Sequence, residues 1–308
     1  MTTSPRIAVL HGLLRPEEKL LLAAFRQRGV DVALVHVDEL VLDLAAPGPP
    51  AAFDGCDLVF DRGLSASKSA VLLRCLESWG LRCVNAAEVV AHCSDKVVTH
   101  RLLAAAGVPV PRGLLAFERG RAADALDGPD GLGFPAVLKP PHGSWGRLLA
   151  RVNDRDAAEA LLEHKAVLGS HQHAVVYAQA FVEKGGRDLR VFVVGDEVPC
   201  AIARRSEHWI TNTARGATTE NHPVDDALAS LCRDAARAMG GGILAVDVFE
   251  TPDGELLVNE VNHSMEFRNS IEPTGVDIPA LVVDQLVAWA QAPAAADPRA
   301  SHREEVLS

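Results

Sequence analysis

Three side chains late in the sequence have the chemistry of a magnesium site. Asp247, Glu260 and Asn262 lie in a stretch, residues 244–262, in which two apolar runs flank Thr251-Pro252-Asp253-Gly254. That punctuation predicts a β-hairpin, and a centred turn puts Asp247 opposite Val258, with all three side chains on one face. Carboxylate and amide oxygens without Cys or His suit Mg²⁺. The alternative is the solvated polar face of an amphipathic hairpin.

Several cations lie where an anion would stabilise them. Lys139 ends the apolar run 134–139, and a buried lysine needs a negative partner such as a phosphate. Lys96 falls in the first turn of a helix that Ser94 is expected to cap, where it opposes the helix dipole unless an anion is near. Arg190 and Arg204 stand on adjoining predicted strands with apolar neighbours. They either bind a phosphate or form salt bridges with Asp188 or Glu260.

The elements that would hold these residues follow an α/β pattern. Apolar runs and helical periodicity alternate up to about residue 93, which indicates a first α/β domain. The expected strands are 6–10, 32–37, 53–60, 82–85, 134–140, 174–181, 189–194 and 200–204, and the expected helices are 16–28, 67–79, 94–103, 156–167, 225–239 and 278–290. A polar stretch, 207–223, has few apolar anchors, which is typical of a loop over a binding site.

These motifs resemble a known superfamily. Asp247 with Asn259-Glu260-Val261-Asn262, Ser94-Asp95-Lys96, and a Gly-Ser-Trp-Gly loop (residues 143–146) after Lys139 resemble the ATP-grasp carboxylate–amine ligases. Within them the sequence resembles the LysX type of lysine biosynthesis, which joins α-aminoadipate to an acidic amino-group carrier protein. Sister enzymes act on glutamate in arginine biosynthesis, and RimK-type ribosomal-protein glutamate ligases are more distant. The resemblance runs from about residue 6 to residue 289.

The resemblance implies an α/β (α+β) fold, the ATP-grasp fold of three subdomains, with nucleotide between the central and C-terminal ones. The expected division is an N-terminal α/β domain over 1–93, a central subdomain over 94–178, a C-terminal subdomain over 179–291 and a disordered tail over 292–308. The implied cofactors are ATP and two Mg²⁺ ions. The implied partners are a small acidic carrier protein and an amino acid, and we expect a homo-oligomer.

The resemblance also implies residue roles. Nucleotide binding is assigned to Lys96, Lys139, Gly143, Ser144, Trp145, Gly146, Gln179, Phe181, Val182 and Glu183. Metal binding is assigned to Asp247, Glu260 and Asn262, catalysis to Arg190, Arg204, Asn212 and Arg215, and substrate contact to Arg62, Ser65, Arg147, Asn269 and Ser270. Asn269-Ser270 is the pair that goes with α-aminoadipate in this resemblance, and a Gly-Phe pair goes with glutamate.

Some of these positions have simpler interpretations. Ser65 or Ser67 could merely cap a helix after a strand, Glu183 could be a solvated strand end, and Asn269 could cap a turn. Ala180 replaces the acidic residue usual after Gln179 in the family.

The implied reaction activates the side-chain carboxylate of a carrier's C-terminal glutamate as an acyl phosphate, and an amino group then displaces the phosphate. Two other functions stay open. One is a dipeptide or glutathione-type ligase with small substrates only, and the other is an ATP-binding regulatory protein without turnover.

Composition limits the classes of partner. The 308 residues carry a net charge of −11, which argues against nucleic-acid or anionic-membrane binding. No apolar run is long enough to span a membrane and residues 1–6 lack a signal-peptide core, so we expect a cytoplasmic protein. The six cysteines include no C-x-x-C pair, so neither a zinc site nor a disulfide framework is expected.

Overall fold

Three β-sheets organise the chain. The structure is a computed structural model, and it describes residues 4–143, 146–169, 175–213 and 216–293. Within those ranges the chain forms thirteen strands and nine α-helices. One sheet is parallel and the other two are antiparallel, so the predicted mixture of α/β and α+β structure is confirmed.

The N-terminal sheet is parallel and has the strand order β2-β1-β3-β4. It is built from β1 (Arg6–His11), β2 (Asp31–His36), β3 (Leu58–Arg62) and β4 (Cys83–Val84), with α1 (Pro16–Gln27), α2 (Ala66–Ser78) and α3 (Ala87–Ser94). Side chains of β1 alternate between two apolar cores because both faces of the sheet are covered. The predicted strand 53–60 begins only at Leu58. Phe53 lies instead in a short 3₁₀ turn, and its ring is buried.

The central sheet is antiparallel, in the order β5-β8-β6-β7. Its elements are β5 (Gly113–Ala116), α5 (Arg119–Asp127), β6 (Ala136–Lys139), β7 (Ala150–Val152), α6 (Arg155–Leu168) and β8 (Val176–Ala180). Leu126 of α5 and Leu162 of α6 pack on Leu138 of β6 in a separate small core.

The C-terminal sheet is antiparallel, in the order β11-β10-β9-β12-β13. Its strands are β9 (Arg187–Val194), β10 (Glu197–Arg205), β11 (Thr218–His222), β12 (Ile243–Glu250) and β13 (Leu256–Asn262). The helices here are α4 (Lys96–Ala105), α7 (Asp226–Met239), α8 (Arg268–Thr274) and α9 (Ile278–Gln291). Helix α7, with α3 and α4, covers one face of the sheet, and α9 lies on the other face together with the N-terminal domain.

Two features bear on the expected division of the chain. Leu103 of α4 belongs to the core of the C-terminal sheet, whereas the division at 94 assigns this helix to the central subdomain. Strand β8 runs to Ala180, two residues past the expected boundary at 178. The boundaries stay a prediction, and the predicted tail lies from residue 294 outside the described residues. None of the described helices is long and apolar enough to cross a membrane.

Candidate active site

The hairpin of β12 and β13 brings the three predicted metal ligands to one face. Asp247 lies opposite Glu260, and Ala245 lies opposite Asn262. The predicted register, with Asp247 opposite Val258, is wrong. The connection between the strands is one residue longer than predicted, and Asn259 is one extra residue in a β-bulge. The two changes shift the pairing by two residues, so the alternation of side chains still leaves all three on the same face.

Asp247 is buried between two arginines. Its Oδ1 and Oδ2 accept hydrogen bonds from Nε and Nη2 of Arg190 at 2.9 and 3.1 Å, and Nη2 of Arg204 lies 3.2 Å from Oδ2. Burial alone would raise the pKa of Asp247, but the two guanidinium groups together lower it to about 2. Two of the three predicted catalytic arginines therefore meet at a predicted metal ligand, which is a permanent carboxylate at neutral pH.

Glu260 and Asn262 complete the polar face. Oε1 of Glu260 accepts a hydrogen bond from Nζ of Lys96 at 3.2 Å, and Lys96 also donates to the carbonyl of Gly143 at 2.7 Å. The anion near the first turn of α4 is thus Glu260. The helix is capped by Asp95, which accepts from the amides of Val97 and Val98, and not by Ser94 as predicted, because Ser94 ends α3.

Lys139 is buried beside the same face. Its Nζ donates a hydrogen bond to Oδ1 of the bulged Asn259 at 2.8 Å. Burial lowers the pKa of Lys139 to about 7, with Glu260 opposing that shift and Lys96 adding to it. The amide oxygen of Asn259 accepts a hydrogen bond from Lys139 but carries no negative charge. An anion such as a phosphate would therefore stabilise the charged form of Lys139.

A second buried network lies next to Arg204, and the sequence reasoning missed it. Nε of Arg204 donates to Oδ1 of Asp188 at 2.7 Å, Lys184 donates to Oγ1 of Thr211 at 2.5 Å, and Thr211 donates in turn to Asp188. The alternative prediction of an Arg204–Asp188 salt bridge is confirmed. Lys184 was visible in the sequence only as a lysine before Gly185-Gly186, with no apolar run to mark it as buried.

A cavity lies between the central and C-terminal sheets. Predicted nucleotide-binding residues that line it are Lys139, Gly146, Gln179, Phe181 and Val182, and Lys184, Trp209 and Phe249 line it as well. The ring of Phe181 packs edge-on against Trp209. The guanidinium carbon of Arg151 lies over the same ring, 3.9 Å from its centroid. This wall is apolar and aromatic, which suits a nucleobase.

Two details modify the predicted adenine contacts. The amides of Ala180 and Phe181 donate to the carbonyls of Arg112 and Pro135, so both are already used within the protein. Glu183 is exposed, and its Oε1 accepts from the amide of Gly185 at 3.2 Å, as expected for a solvated strand end.

A larger open cleft adjoins this cavity on the side of the N-terminal domain. The two spaces meet at Gly146, Asn212, Asp247 and Glu260, which line both. Arg15, Gly63 and Leu64 line the cleft from the N-terminal domain. Asn262 lines it from the end of β13, and His263, Ser264 and Glu266 line it from the segment that follows. Reagents bound in the two spaces would therefore meet above the predicted metal ligands.

The structure places the predicted substrate residues differently. Arg62 is 1% exposed, its guanidinium is paired with Glu18 at 2.8 Å, and Nη1 donates to the carbonyl of Met265. The prediction that Arg62 contacts a substrate in the cleft is wrong, because its side chain is buried against these internal partners. Ser65 caps α2, as its Oγ accepts from the amide of Lys68, which confirms the simpler interpretation.

The remaining predicted substrate, nucleotide and catalytic residues differ in exposure, and some lie outside the described residues. Arg147, Arg268 and Asn269 are exposed, and Asn269 accepts from Nε of Arg268 at 3.4 Å. Ser270 lies within α8 and is 1% exposed, so its side chain packs inside the protein and does not face the cleft. Ser144, Trp145 and Arg215 lie outside the described residues.

The donor set fits a hard divalent cation. Oδ1 of Asp247 accepts a single hydrogen bond and so keeps a lone pair, and neither Oε2 of Glu260 nor Oδ1 of Asn262 accepts a hydrogen bond from the described residues. The described residues contain no cluster of three or more His, Cys, Asp and Glu side chains, since the third ligand here is an amide. Two carboxylates and an amide leave room for phosphate and water ligands, as Mg²⁺ requires.

Comparison with known proteins identifies the family. The model of the RimK-like ATP-grasp domain matches residues 93–286, and that of the LysX pre-ATP-grasp domain matches residues 7–92. The α-aminoadipate–LysW ligase LysX of Sulfolobus acidocaldarius is 35% identical over 76% of this chain and 84% of its own. The glutamate–LysW ligase ArgX of Sulfurisphaera tokodaii is 28% identical over 92% of this chain and 98% of its own.

A solved structure agrees. The RimK domain ATP-grasp protein of Sphaerobacter thermophilus has a TM-score of 0.75 and 33% identity, covering 91% of this chain and 98% of that one. The predicted ATP-grasp fold is thereby confirmed, and members of this family use ATP and divalent metal ions. The chain belongs to the RimK-like ATP-grasp family of ATP-dependent carboxylate–amine ligases and carries a LysX-type pre-ATP-grasp domain.

Proposed function

We propose that this ligase joins the amino group of α-aminoadipate, in preference to glutamate, to the side-chain carboxylate of the C-terminal glutamate of a small acidic carrier protein. The observation that carries the proposal is the junction of the two cavities at Asp247 and Glu260. One space suits a nucleotide, and the other is wide enough for a protein's C-terminus and an amino acid. The names of the LysX and ArgX relatives support the carrier and the class of amino acid.

The reaction has two steps. A carboxylate oxygen of the carrier attacks the γ-phosphorus of ATP, the bond from that phosphorus to the bridging oxygen of ADP breaks, and an acyl phosphate forms. The amino nitrogen then attacks the acyl carbon, the bond to phosphate breaks, and the nitrogen loses a proton. The protein contributes positioning and electrostatic stabilisation to both steps.

The cations of the cleft have separate tasks in this proposal. Lys139 and Lys96 hold the nucleotide phosphates, with the amides of Gly143 and Gly146 covering them. Arg190 and Arg204 offset the charge of the transferring phosphoryl group, and Asn212 orients the acyl phosphate where the two cavities meet. Arg215 has the same task by family resemblance.

Asp247, Glu260 and Asn262 would hold the two Mg²⁺ ions that the family resemblance implies. When bound, the metal ions would offset the negative charge of the phosphate oxygens and help to orient them for transfer. Asp247 is suited to this because its pKa is lowered, so no proton competes with the metal at neutral pH.

The preference for α-aminoadipate rests on Asn269 and Ser270. Asn269 is exposed at the start of α8, so its amide can donate to a distal carboxylate. Ser270 is buried within α8, and its small side chain fits the packing at that position. One methylene discriminates by only roughly ten- to two-hundredfold, so measurable activity with glutamate is expected.

The test is a ligation assay read by intact mass. The protein is incubated with ATP, Mg²⁺, the carrier protein from its own genome and a panel of amino acids. We expect the carrier to gain the mass of one α-aminoadipate residue, with ADP released in equal amount. A product that forms without the carrier would indicate a small-molecule ligase instead, and the absence of ADP release with every acceptor would indicate a regulatory ATP-binding protein.

A further inference from the structure

An arginine that the sequence reasoning passed over faces the large cleft. Arg15 lies between β1 and α1, lines the cleft and has a side chain that is 15% exposed. It does not line the nucleotide cavity, where Lys139, Lys184 and Arg204 are found. Its charge is therefore available to a substrate other than the nucleotide.

Arg15 is held in place by a buried carboxylate. Glu18, whose side chain is fully buried, accepts from Nε and Nη2 of Arg15 at 3.0 and 2.8 Å. The same carboxylate pairs with Arg62 from the other side. Burial alone would raise the pKa of Glu18, but Arg15 and Arg62 lower it, so Glu18 remains an anion. Arg62 and Glu18 thus fix the orientation of the Arg15 guanidinium.

The outer edge of this guanidinium has only a weak partner. Nη1 of Arg15 lies 3.4 Å from Oε1 of Glu266, a side chain that is 38% exposed. A guanidinium has five N–H donors, and three are used by Glu18 and Glu266 in the described part of the chain. The two remaining donors, with the long contact to Glu266, leave a planar edge that matches a carboxylate in the cleft.

We propose that Arg15 binds a carboxylate of an acidic substrate in this cleft, with Glu18 and Arg62 as positioning residues and Glu266 as the group that the substrate replaces. The proposal rests on the ligase function proposed above. Both reactants of that ligation carry carboxylates that must stay unreacted, namely those of the amino acid and the α-carboxylate of the carrier's C-terminus. The chemistry is the same for both, and the experiment distinguishes them.

The experiment compares Arg15→Gln and Glu266→Gln with the parent protein. Michaelis constants are measured for ATP, carrier and amino acid. Arg15→Gln should raise the constant of one acidic substrate roughly tenfold or more, the size of one charge-assisted hydrogen bond, and leave that of ATP within about twofold. Glu266→Gln, which removes the competing carboxylate, should leave the same constant unchanged or lower it. A rise for the amino acid assigns Arg15 to that substrate, and a rise for the carrier assigns it to the carrier's C-terminus.

The controls separate binding from folding. Arg28→Gln removes another arginine from the end of α1, paired with Asp284 at the surface, and should change none of the constants. Unfolding in urea reports stability for all variants. Equal rises for Arg15→Gln and Glu266→Gln, or no rise for Arg15→Gln, would overturn the proposal, since a merely structural ion pair loses the same contact in both.

A binding measurement keeps this test independent of turnover. If the parent fails to modify the carrier, the proposed function fails. Titration of the protein with ADP and Mg²⁺ by α-aminoadipate, glutamate and the carrier's C-terminal peptide then still tests Arg15. Binding by the parent that Arg15→Gln weakens tenfold supports the assignment, and absence of binding by the parent contradicts it.

Discussion

At the scale of residues, the cations of the candidate active site are paired with the side chains that are predicted to bind metal. Arg190 and Arg204 hold Asp247, and Lys96 holds Glu260. On binding, the nucleotide must replace the carboxylates as partner of the cations, and the metal must replace the cations as partner of the carboxylates. The two must bind together, because either alone would leave a buried charge without compensation. Binding of ATP and of Mg²⁺ is therefore expected to be positively coupled.

Glu260 provides the most direct test of the metal site. Glu260→Gln removes the charge that the metal ions and Lys96 share, so we expect turnover to fall roughly a hundredfold or more, as when a key electrostatic group is removed. ADP release at raised Mg²⁺ and circular dichroism measure activity and folding. Glu250→Gln, on the same hairpin but paired with Arg187 and lining neither cavity, is the matched control and should retain activity. Parental turnover of Glu260→Gln would contradict the metal assignment.

Lys139 links nucleotide binding to pH. Its pKa of about 7 in the free protein lies well below that of an exposed lysine, and phosphate favours the charged form. At a pH between the pKa of Lys139 in the free protein and its higher pKa in the nucleotide complex, nucleotide binding must take up a proton. The affinity for nucleotide should therefore rise as the pH falls from about 9 to about 7. Calorimetry at pH 8 in buffers of different ionisation enthalpy measures that proton.

The variant Lys139→Met should lose most of this proton uptake and bind nucleotide more weakly, while its affinity for amino acid stays unchanged. Burial also lowers the pKa of Lys184, so a residual uptake in the variant would come from that residue. Identical uptake in parent and variant would exclude Lys139 as the phosphate ligand.

The titration of Lys139 also makes the stability of the free protein depend on pH, in the opposite direction to its effect on nucleotide affinity. Between about pH 7 and its ordinary value the unfolded chain binds the proton that folded Lys139 has lost, so the free energy of unfolding rises with pH in this window. Urea unfolding without nucleotide at pH 7 and pH 9 should show this rise in the parent and less of it in Lys139→Met.

Single residues also show what the sequence could not reveal. Asp247, Glu260 and Asn262 were predictable because period-two alternation survives a register shift of two residues. Arg62 was not, because its partner Glu18 lies 44 residues earlier, and only the parallel pairing of β1 with β3 brings α1 beside it. The cleft arginine of this region is Arg15, whose sequence neighbours Pro16 and Glu17 indicate only a helix start.

At the scale of elements, helix α4 connects Lys96, a predicted nucleotide ligand, to the central sheet. Lys96 and His100 are one turn apart on α4, so both point to the central subdomain. Nδ1 of His100 lies 2.9 Å from the hydroxyl of Tyr177 on β8 and 3.3 Å from Nε2 of Gln179. Gly113 of β5 makes room for the imidazole, since a Cβ there would lie 2.6 Å from its Cε1.

We therefore expect Gly113→Ala to displace α4 from the central sheet. The predicted cost is about 1–3 kcal/mol of unfolding free energy, typical of an overpacked buried site, together with weaker ATP binding. Gly48→Ala is the matched control, because a Cβ at Gly48 meets no atom within 4 Å. Chemical unfolding and nucleotide titration of both variants measure these effects, and a Gly113→Ala protein as stable as the Gly48→Ala protein would show that His100 is not confined.

Long elements with strong periodicity were predictable, and short ones were not. Helices α1, α6 and α7 fall within two residues of their expected bounds. Strands β5, β7 and β11 were missed because three to five residues, several of them polar, hold strand geometry only through their neighbours in the sheet. The polar stretch 207–223 was expected to be a loop throughout, yet β11 extends the sheet beside β10.

At the scale of the whole molecule, the N-terminal and C-terminal parts share one core. Phe25 of α1, Phe192 of β9 and Leu286 of α9 are all buried in it. Asn85, after β4, joins the N-terminal sheet to the hairpin of β12 and β13, since its amide donates to the carbonyls of Ile243 and His263 and accepts from the amide of Ile243. The core of the central sheet is separate. The cleft therefore has one continuous wall, formed by the N-terminal and C-terminal parts, that faces a smaller independent unit.

The overall charge of the protein affects how an acidic carrier can dock. A ligase at −11 repels an acidic carrier at long range, so docking in the proposed function requires local basic residues at the cleft. Arg62 was expected to be one of them, but its burial removes it from the surface. Arg147 and Arg268 are exposed and remain the candidates, and Arg215 lies outside the described residues.

The sign of the salt effect distinguishes local attraction from overall repulsion. Raising the ionic strength from about 0.01 to about 0.1 M shortens the screening length from about 30 to about 10 Å. If Arg147 and Arg268 guide the carrier, its Michaelis constant should rise with salt, and much more than that of ATP, whose buried contacts are screened less. Arg147→Gln with Arg268→Gln should flatten this dependence, whereas Arg237→Gln, an exposed arginine that lines neither cavity, should not. If net repulsion dominated instead, the carrier's constant would fall as salt is added, and the docking residues would have to be sought elsewhere on the molecule.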